Sequence, residues 1–359
     1  MKLEDANETS LLRLFDPMEF WPAWKLYLPV VPWIAFLSFR SLRPGSFSSL
    51  GFGTIAAANP GIPLGGLVGE SKFDILSRLS PEYVLKNFRV DGDSRNEESV
   101  EREMRKLGLD FPVIIKPDAG QRGQGVRIAR RKEDLRSLLA ESNVPLLVQE
   151  FHPGPYEAGI FYYRYPGQKS GKIFSITRKV FPRVTGDGKS TLENLVLSHP
   201  RFRIQKEVFQ NRFPEIWKRV LPSGETLPLT EAGNHCQGTL FLDGKEWMSP
   251  ELEDEIQKAT SPFEDFYFGR YDVRFSSPEE LKLGKKFKIV ELNGVTSEST
   301  NLYDPRFSVR ERYTILFKQW EILFRIGRES KGKKAGLFPI LAALWNFYKG
   351  GRKISDLSV

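Results

Sequence analysis

The chain has 359 residues, of which 40% are apolar, 27% charged and 13% aromatic. That length and balance predict a sizeable buried core in two or three lobes, and exclude disordered, fibrous and low-complexity classes. Fifty-three Lys and Arg against forty-five Asp and Glu leave a net charge of +8; phosphates, nucleic acid and anionic lipid all qualify as partners on charge alone, beside a plain solvated basic surface.

The start, Met1-Lys2-Leu3-Glu4-Asp5, is acidic and no apolar run follows it, so a secretory leader is not expected. The single cysteine, Cys236, cannot close an internal disulfide, and a cytoplasmic setting is expected. The longest apolar run, Leu26 to Phe39, is shorter than the roughly 20 residues a membrane-spanning helix needs. Trp33 within it and Trp21, Trp24, Lys25, Arg40 and Arg43 beside it suit two roles, packing of a first lobe or seating at a lipid interface. Residues 44–70 are dense in Gly, Ser and Pro, read as turns and loops, and close an N-terminal region, 1–70.

From Ser71 a helical pattern carries Phe73, Ile75, Leu76 and Leu79, and after a polar loop over Asp91 to Glu98 a second helix ends near Leu107-Gly108. Val113 to Lys116 predicts a buried strand, Pro117 to Gly125 a glycine-rich turn, and Val126 to Ala129 a return strand. A helix with Leu135, Leu138 and Leu139 follows, then strands over Leu146 to Phe151, Gly159 to Tyr165 and Lys172 to Val180. Ser190 with Glu193 reads as a capping box after the loop at Thr185 to Lys189, and Ser249-Pro250 opens a helix with Leu252, Ile256 and Ala259 on one face. Phe266 to Phe275 and Phe287 to Asn293 are the last strands, and Ser308 to Arg328 is a closing helix. A tail, 331–359, holds Leu337, Phe338, Leu341 and Trp345 between basic residues, a pattern for membrane contact or for packing within the chain or across a dimer. The class is α+β.

Strand alternation places Arg270, Asp272 and Arg274 on one face, and Glu291 with Asn293 on one face of the other strand. If those faces join, two carboxylates and an amide oxygen converge, a hard-oxygen set that suits Mg²⁺. The competing reading is a cross-strand salt-bridge ladder. Lys116, with Gly120, Gly123 and Gly125 behind it, suits phosphate, because glycines let backbone N–H groups approach closely.

In their order, these motifs resemble the ATP-grasp superfamily, in its branch of carboxylate-amine ligases such as D-alanine:D-alanine ligase, glutathione synthetase and cyanophycin synthetase. The likeness runs over about residues 71–325. It implies an ATP-grasp fold, two α+β lobes clasping ATP, here behind an N-terminal region without the family's usual α/β lobe. It implies Lys72, Lys116, Gly120, Gly123, Gly125, Glu150, Phe151 and Glu157 as ATP-binding residues, with Glu150 and Phe151 flanking adenine and Glu157 reaching ribose. Arg178, Lys179 and Arg270 become the catalytic cations, and Asp272, Glu291 and Asn293 the ligands of Mg²⁺ or Mn²⁺. The expected domains are 1–70, an ATP-grasp domain over 71–330, and the tail. The resemblance implies a ligase that activates a small carboxylate as an acyl phosphate for attack by a small amine; nucleic acid is not expected as a partner, and membrane contact and oligomers stay open. His235 is open between assisting proton removal from the amine and sitting in an exposed loop. A phosphotransferase on the same scaffold, or a non-catalytic ATP-binding protein at a membrane surface, are the rival functions.

Overall fold

Eleven strands among the described residues fall into three antiparallel sheets: β1 (Asn87–Val90), β2 (Val113–Pro117), β3 (Arg127–Ala129), β4 (Leu146–Glu150), β5 (Tyr156–Tyr163), β6 (Lys172–Val180), β7 (Arg183–Thr185), β8 (Thr226–Pro228), β9 (Leu240–Asp243), β10 (Phe268–Phe275) and β11 (Phe287–Asn293). The structure, a computed structural model, describes residues 11–41, 51–92, 95–120, 125–230 and 233–330, with Ala342 and Trp345. Gly123 and most of the apolar tail segment lie outside the described residues, as does the side chain of Cys236.

The smaller sheet, in the order β1-β4-β2-β3, carries helices Glu97–Leu107 and Lys132–Glu141. The first of these helices has its ends written in sequence. Asn96 Oδ1 accepts the Ser99 N–H at 2.8 Å, Glu97 and Glu98 fill the first turn, Arg105 and Lys106 the last, and Gly108 closes it at φ 61°. Val100, Met104, Leu135 and Leu139 then cover Val113, Ile115 and Val148 as the core of this lobe.

The larger sheet runs β11-β10-β5-β6-β9. One face buries Ala158, Ile160, Tyr162, Ile176, Tyr271 and Val273 against Leu252, Ile256 and Ala259 of helix Pro250–Thr260. On the other face, the end bearing Phe161 and Phe268 is covered by helix Val309–Glu329 and by Leu37, Ile55 and Ala58 of the N-terminal region. The rest of that face is polar. A helical excursion between β7 and β9 has its own core, from Leu192, Val196, Phe202, Phe209 and Trp217.

Local differences from the sequence reading have local causes. Within 44–70, helix Phe52–Ala56 and a one-turn 3-10 segment at Pro63–Gly65 form, so the described part of that stretch is not all loop. Thr191, rather than Ser190, caps helix Leu192–Ser198: Thr191 Oγ1 accepts the Asn194 N–H at 3.2 Å, whereas the Ser190 hydroxyl donates to Asp187 at 2.7 Å. The closing helix starts as expected, with Ser308 and Glu311 capping each other.

Candidate active site

The polar face of the larger sheet is built by register. Asp272 on β10 lies opposite Glu291 on β11 and Gly159 on β5; Glu157 on β5 lies opposite Arg274 on β10 and Lys179 on β6. Five ionisable side chains therefore meet across four strands. Lys179 Nζ is 2.7 Å from Glu157 Oε1 and 3.0 Å from Asp272 Oδ1, and Arg274 Nε donates to Glu157 Oε2 at 3.0 Å. Arg270 donates to both Asp272 oxygens at 3.2 and 3.3 Å, and to the Glu298 carbonyl at 3.2 Å.

Burial works against the charged forms of Glu157, Lys179, Arg270 and Asp272, yet the neighbouring charges outweigh it. Asp272 is held below the usual carboxylate range by Arg270 and Lys179, and Glu157 by Lys179 and Arg274, while Lys179 and Arg270 are raised by their carboxylate partners. Two glycines make room. A Cβ on Gly159 would lie 3.1 Å from Arg270 Cδ, and one on Gly233 would lie 2.1 Å from Glu157 Oε1, so the loop at Gly233 rests directly on this ionic layer.

The smaller lobe closes over the edge of that layer. Lys116 leaves β2 nearly buried, donates to Gln149 Oε1 at 2.9 Å and reaches the Val290 carbonyl of β11 at 3.4 Å. Burial lowers its pKa, Lys72 adds to the lowering and Glu291 opposes it. Lys72 Nζ donates to the Gly120 carbonyl at 2.7 Å and lies 3.9 Å from Glu291. Burial raises the carboxyl pKa of the adjacent Glu70. The loop that delivers Glu70 and Lys72 is fixed by fully buried Asn59, whose amide donates to the Phe268 carbonyl at 2.7 Å and accepts the Tyr267 and Phe268 N–H groups at 2.9 Å.

The structure thus brings together Lys72, Lys116, Glu157, Lys179, Arg270, Asp272 and Glu291, with Asn293 opposite Arg270 in the register. Gly120 and Gly125 stand at the two ends of the glycine-rich turn. Glu150 ends β4, where its carboxylate accepts the Lys86 N–H at 3.1 Å, and Phe151 follows it, half-buried. Arg178 is not brought to the layer: the two-residue period sends it to the sheet's other face, 5.7 Å from the centre of the Trp247 ring. Three contributors were not assigned from sequence, namely Arg274, Gln149 and Glu70. The alternation of β10 had already put Arg274 on the correct face; Gln149 and Glu70 carry no local signal.

His235 is not a free loop residue. Its Nε2 is 2.7 Å from Glu19 Oε1, and its ring lies among Phe20, Phe241 and Tyr303, with centroids 5.3 to 5.5 Å away. Glu19 also forms a two-pronged pair with Arg201, both side chains being fully buried.

Among the described residues no group of three His, Cys, Asp or Glu side chains could hold a metal. The set at hand is two carboxylates and an amide, and Asp272 and Glu291 are direct partners across neighbouring strands. Such hard oxygen donors fit Mg²⁺, which takes its remaining ligands from water and nucleotide phosphates.

Residues 84–154 match the RimK-like ATP-grasp domain. That segment holds the whole four-stranded sheet, so the likeness to an ATP-grasp domain lies over the smaller lobe, in keeping with the α+β class. Proteins with this domain are mostly ATP-dependent ligases acting on small molecules. Comparison with curated proteins finds no match. Similar solved structures include a D-alanine:D-alanine ligase from Bacillus anthracis complexed with ATP (TM-score 0.41, 13% identity, 72% of this chain and 66% of that one). A D-Ala:D-Ser ligase from Enterococcus faecalis (0.38, 14%, 71% and 61%) and a bifunctional glutathione synthetase from Pasteurella multocida (0.35, 15%, 67% and 34%) are also similar. The chain thus spans between a third and two thirds of the length of these three proteins.

Proposed function

We propose that this protein is an ATP- and Mg²⁺-dependent ligase that activates a small-molecule carboxylate as an acyl phosphate and passes the acyl group to an amine, in the cytoplasm. The observation that carries this reading is the single ionic layer in which Lys116 from one lobe meets Lys179, Arg270, Asp272 and Glu291 from the other. We take residues 71–330 as the ATP-grasp domain, preceded by the N-terminal region 1–70 and followed by the tail.

In this reading the γ-phosphoryl group passes from ATP to a carboxylate oxygen of the substrate, its bond to the bridging oxygen breaks, and ADP is released. An amine nitrogen then attacks the carbonyl carbon, phosphate departs, and the amine proton passes to solvent. Lys116 and Lys72 meet the nucleotide phosphates from above; Arg270 and Lys179 meet the transferring group from the sheet. Their contribution is charge stabilisation by groups held in place beforehand, which needs no protein nucleophile. Asp272, Glu291 and Asn293 would hold Mg²⁺, which supplies charge neutralisation at the phosphates. Glu157 fixes Lys179 and is itself fixed by Arg274, so both its oxygens are engaged and its role in this reading is positional rather than the ribose contact that the resemblance implies.

The test is ADP release with ATP, Mg²⁺ and pooled carboxylates and amines, with Glu291→Ala as control. Release that needs both an acid and an amine, and is lost in the variant, supports the ligase. A phosphorylated product formed without any amine would replace it with a phosphotransferase.

A further inference from the structure

Between Glu19 and Glu70 the sequence contains no aspartate or glutamate, and its charged residues are Lys25, Arg40 and Arg43. Helices Ala23–Tyr27 and Val31–Arg40, joined by the 3-10 turn Leu28–Val30, form a nearly continuous helical run. One side of that run, Leu26, Val30 and Leu37, is buried against Leu316, Ile322 and Leu323 of helix Val309–Glu329. Trp33 pins it there, its indole N–H donating to the Phe317 carbonyl at 3.3 Å.

The other side exposes Trp24, Leu28, Val31, Phe36 and Phe39, which at about 3.6 residues per turn all fall on the side opposite Leu26, Val30 and Leu37 and make an apolar stripe. Trp24 is 69% and Phe39 73% exposed. A continuous apolar stripe of this kind on a protein surface marks an interaction site. Cations stand at both ends of it: Lys25 Nζ lies 3.9 Å from the centre of the Trp21 ring, and the Arg40 guanidinium 5.6 Å from that of Phe36.

We propose that this stripe seats the protein on an anionic lipid surface. Aromatic and aliphatic side chains enter the boundary between headgroups and acyl chains, while Lys25 and Arg40 engage lipid phosphates. Charge selects this occupant. A second copy docking the same face would set cations against cations, and among the described residues no helix is long and apolar enough to cross the membrane. The tail that follows the supporting helix adds to the same sign: residues 331–355 hold six Lys and Arg and no acid.

The test is co-sedimentation of the full chain with vesicles of phosphatidylcholine, with and without phosphatidylglycerol. Binding is expected to the anionic vesicles, to weaken with salt, and to fall by about tenfold or more in the triple variant Trp24→Ser, Phe36→Ser, Phe39→Ser. Lys25→Glu with Arg40→Glu, both on the surface, should weaken it by about fivefold or more for each cation removed. In Trp24→Phe, which keeps the apolar face, the quenching of tryptophan emission by brominated lipid should drop relative to the native chain; this readout does not depend on the triple variant folding. The proposal is overturned if the full chain stays in solution, if a folded triple variant binds as tightly as the native protein, or if the stripe variants disperse a dimer that never binds vesicles.

Discussion

Lys72 donates its ammonium hydrogen to the Gly120 carbonyl at 2.7 Å, and so ties the loop that follows the N-terminal region to the first glycine of the glycine-rich turn. The same helix start is held a second time, because the Lys72 and Phe73 N–H groups donate to the backbone and side chain of Asp118 at 3.0 and 2.9 Å. Lys72→Met keeps those backbone bonds and removes only the ammonium. Nucleotide affinity should drop about tenfold, the size expected for losing one charge-assisted contact, with little change in unfolding midpoint. Calorimetric titration with ADP and with a non-hydrolysable ATP analogue measures it; unchanged affinity would remove Lys72 from the nucleotide site.

Substituting Glu291 tests its proposed metal role apart from fold stability. Among the described residues its one ion pair, with Lys72, is at 3.9 Å, and its side chain is 28% exposed, so Glu291→Gln should cost the fold less than about 1 kcal/mol. Turnover should nevertheless fall about a hundredfold or more, and the Mg²⁺ concentration for half-maximal activity should rise. Metal titrations of native and variant protein decide it. Equal metal dependence in both would leave Glu291 as part of a salt-bridge ladder.

Glu19 and Arg201 pair with both side chains fully buried, and Arg201 donates further to the Gly238 and Thr239 carbonyls at 3.3 and 3.0 Å. Removing one partner leaves an uncompensated charge, so Glu19→Ala should destabilise the fold by about 3 to 5 kcal/mol. The double change Glu19→Leu with Arg201→Met should cost less than Glu19→Ala alone, since neither charge remains. Denaturant melts of the variants check this, and additive losses would refute it.

How far these features could be read from sequence depends on the range of the interaction. The period of β10 and β11 put Arg270, Asp272 and Arg274 on one face and Glu291 with Asn293 on one face, because side-chain direction in a strand is local information. The same rule separates Arg178 from neighbouring Lys179, so the two do not serve one face of the sheet. Ser190 does not cap the helix because Asp187 takes its hydroxyl, a choice made by loop geometry that the Ser-x-x-Glu spacing does not encode. The Glu19, Arg201 and His235 cluster joins residues 182 and 216 positions apart, and nothing in a composition or a period encodes such a meeting. Asn59 was hidden likewise, as one residue of an Asn-Pro-Gly turn, although it supports the loop that delivers Lys72.

His199 gives the fold a pH dependence whose sign follows from its contacts. The ring stacks on Phe202 with centroids 3.7 Å apart, and Nδ1 accepts the N–H groups of Arg201 and Phe202 at 3.3 and 3.4 Å. Only an unprotonated Nδ1 can accept. Burial, followed by the charges of Arg201 and Arg13, lowers the pKa of His199 from 6.5 to about 4. Between those values the unfolded chain binds a proton that the folded chain refuses, so stability falls as pH drops from about 6.5 to about 4, and this contribution is flat above that window. Buried Glu19 adds a loss further down. Its carboxyl is desolvated, yet hydrogen bonds from His235 and Arg201 hold it below the usual range, so its stabilisation is lost only as pH falls through that lowered value. His199→Asn keeps a side-chain acceptor without a titrating ring, and should flatten the slope between pH 6.5 and 4 while leaving the more acidic loss in place. Urea melts of both proteins across that range measure it; parallel slopes would show that another group sets the pH dependence.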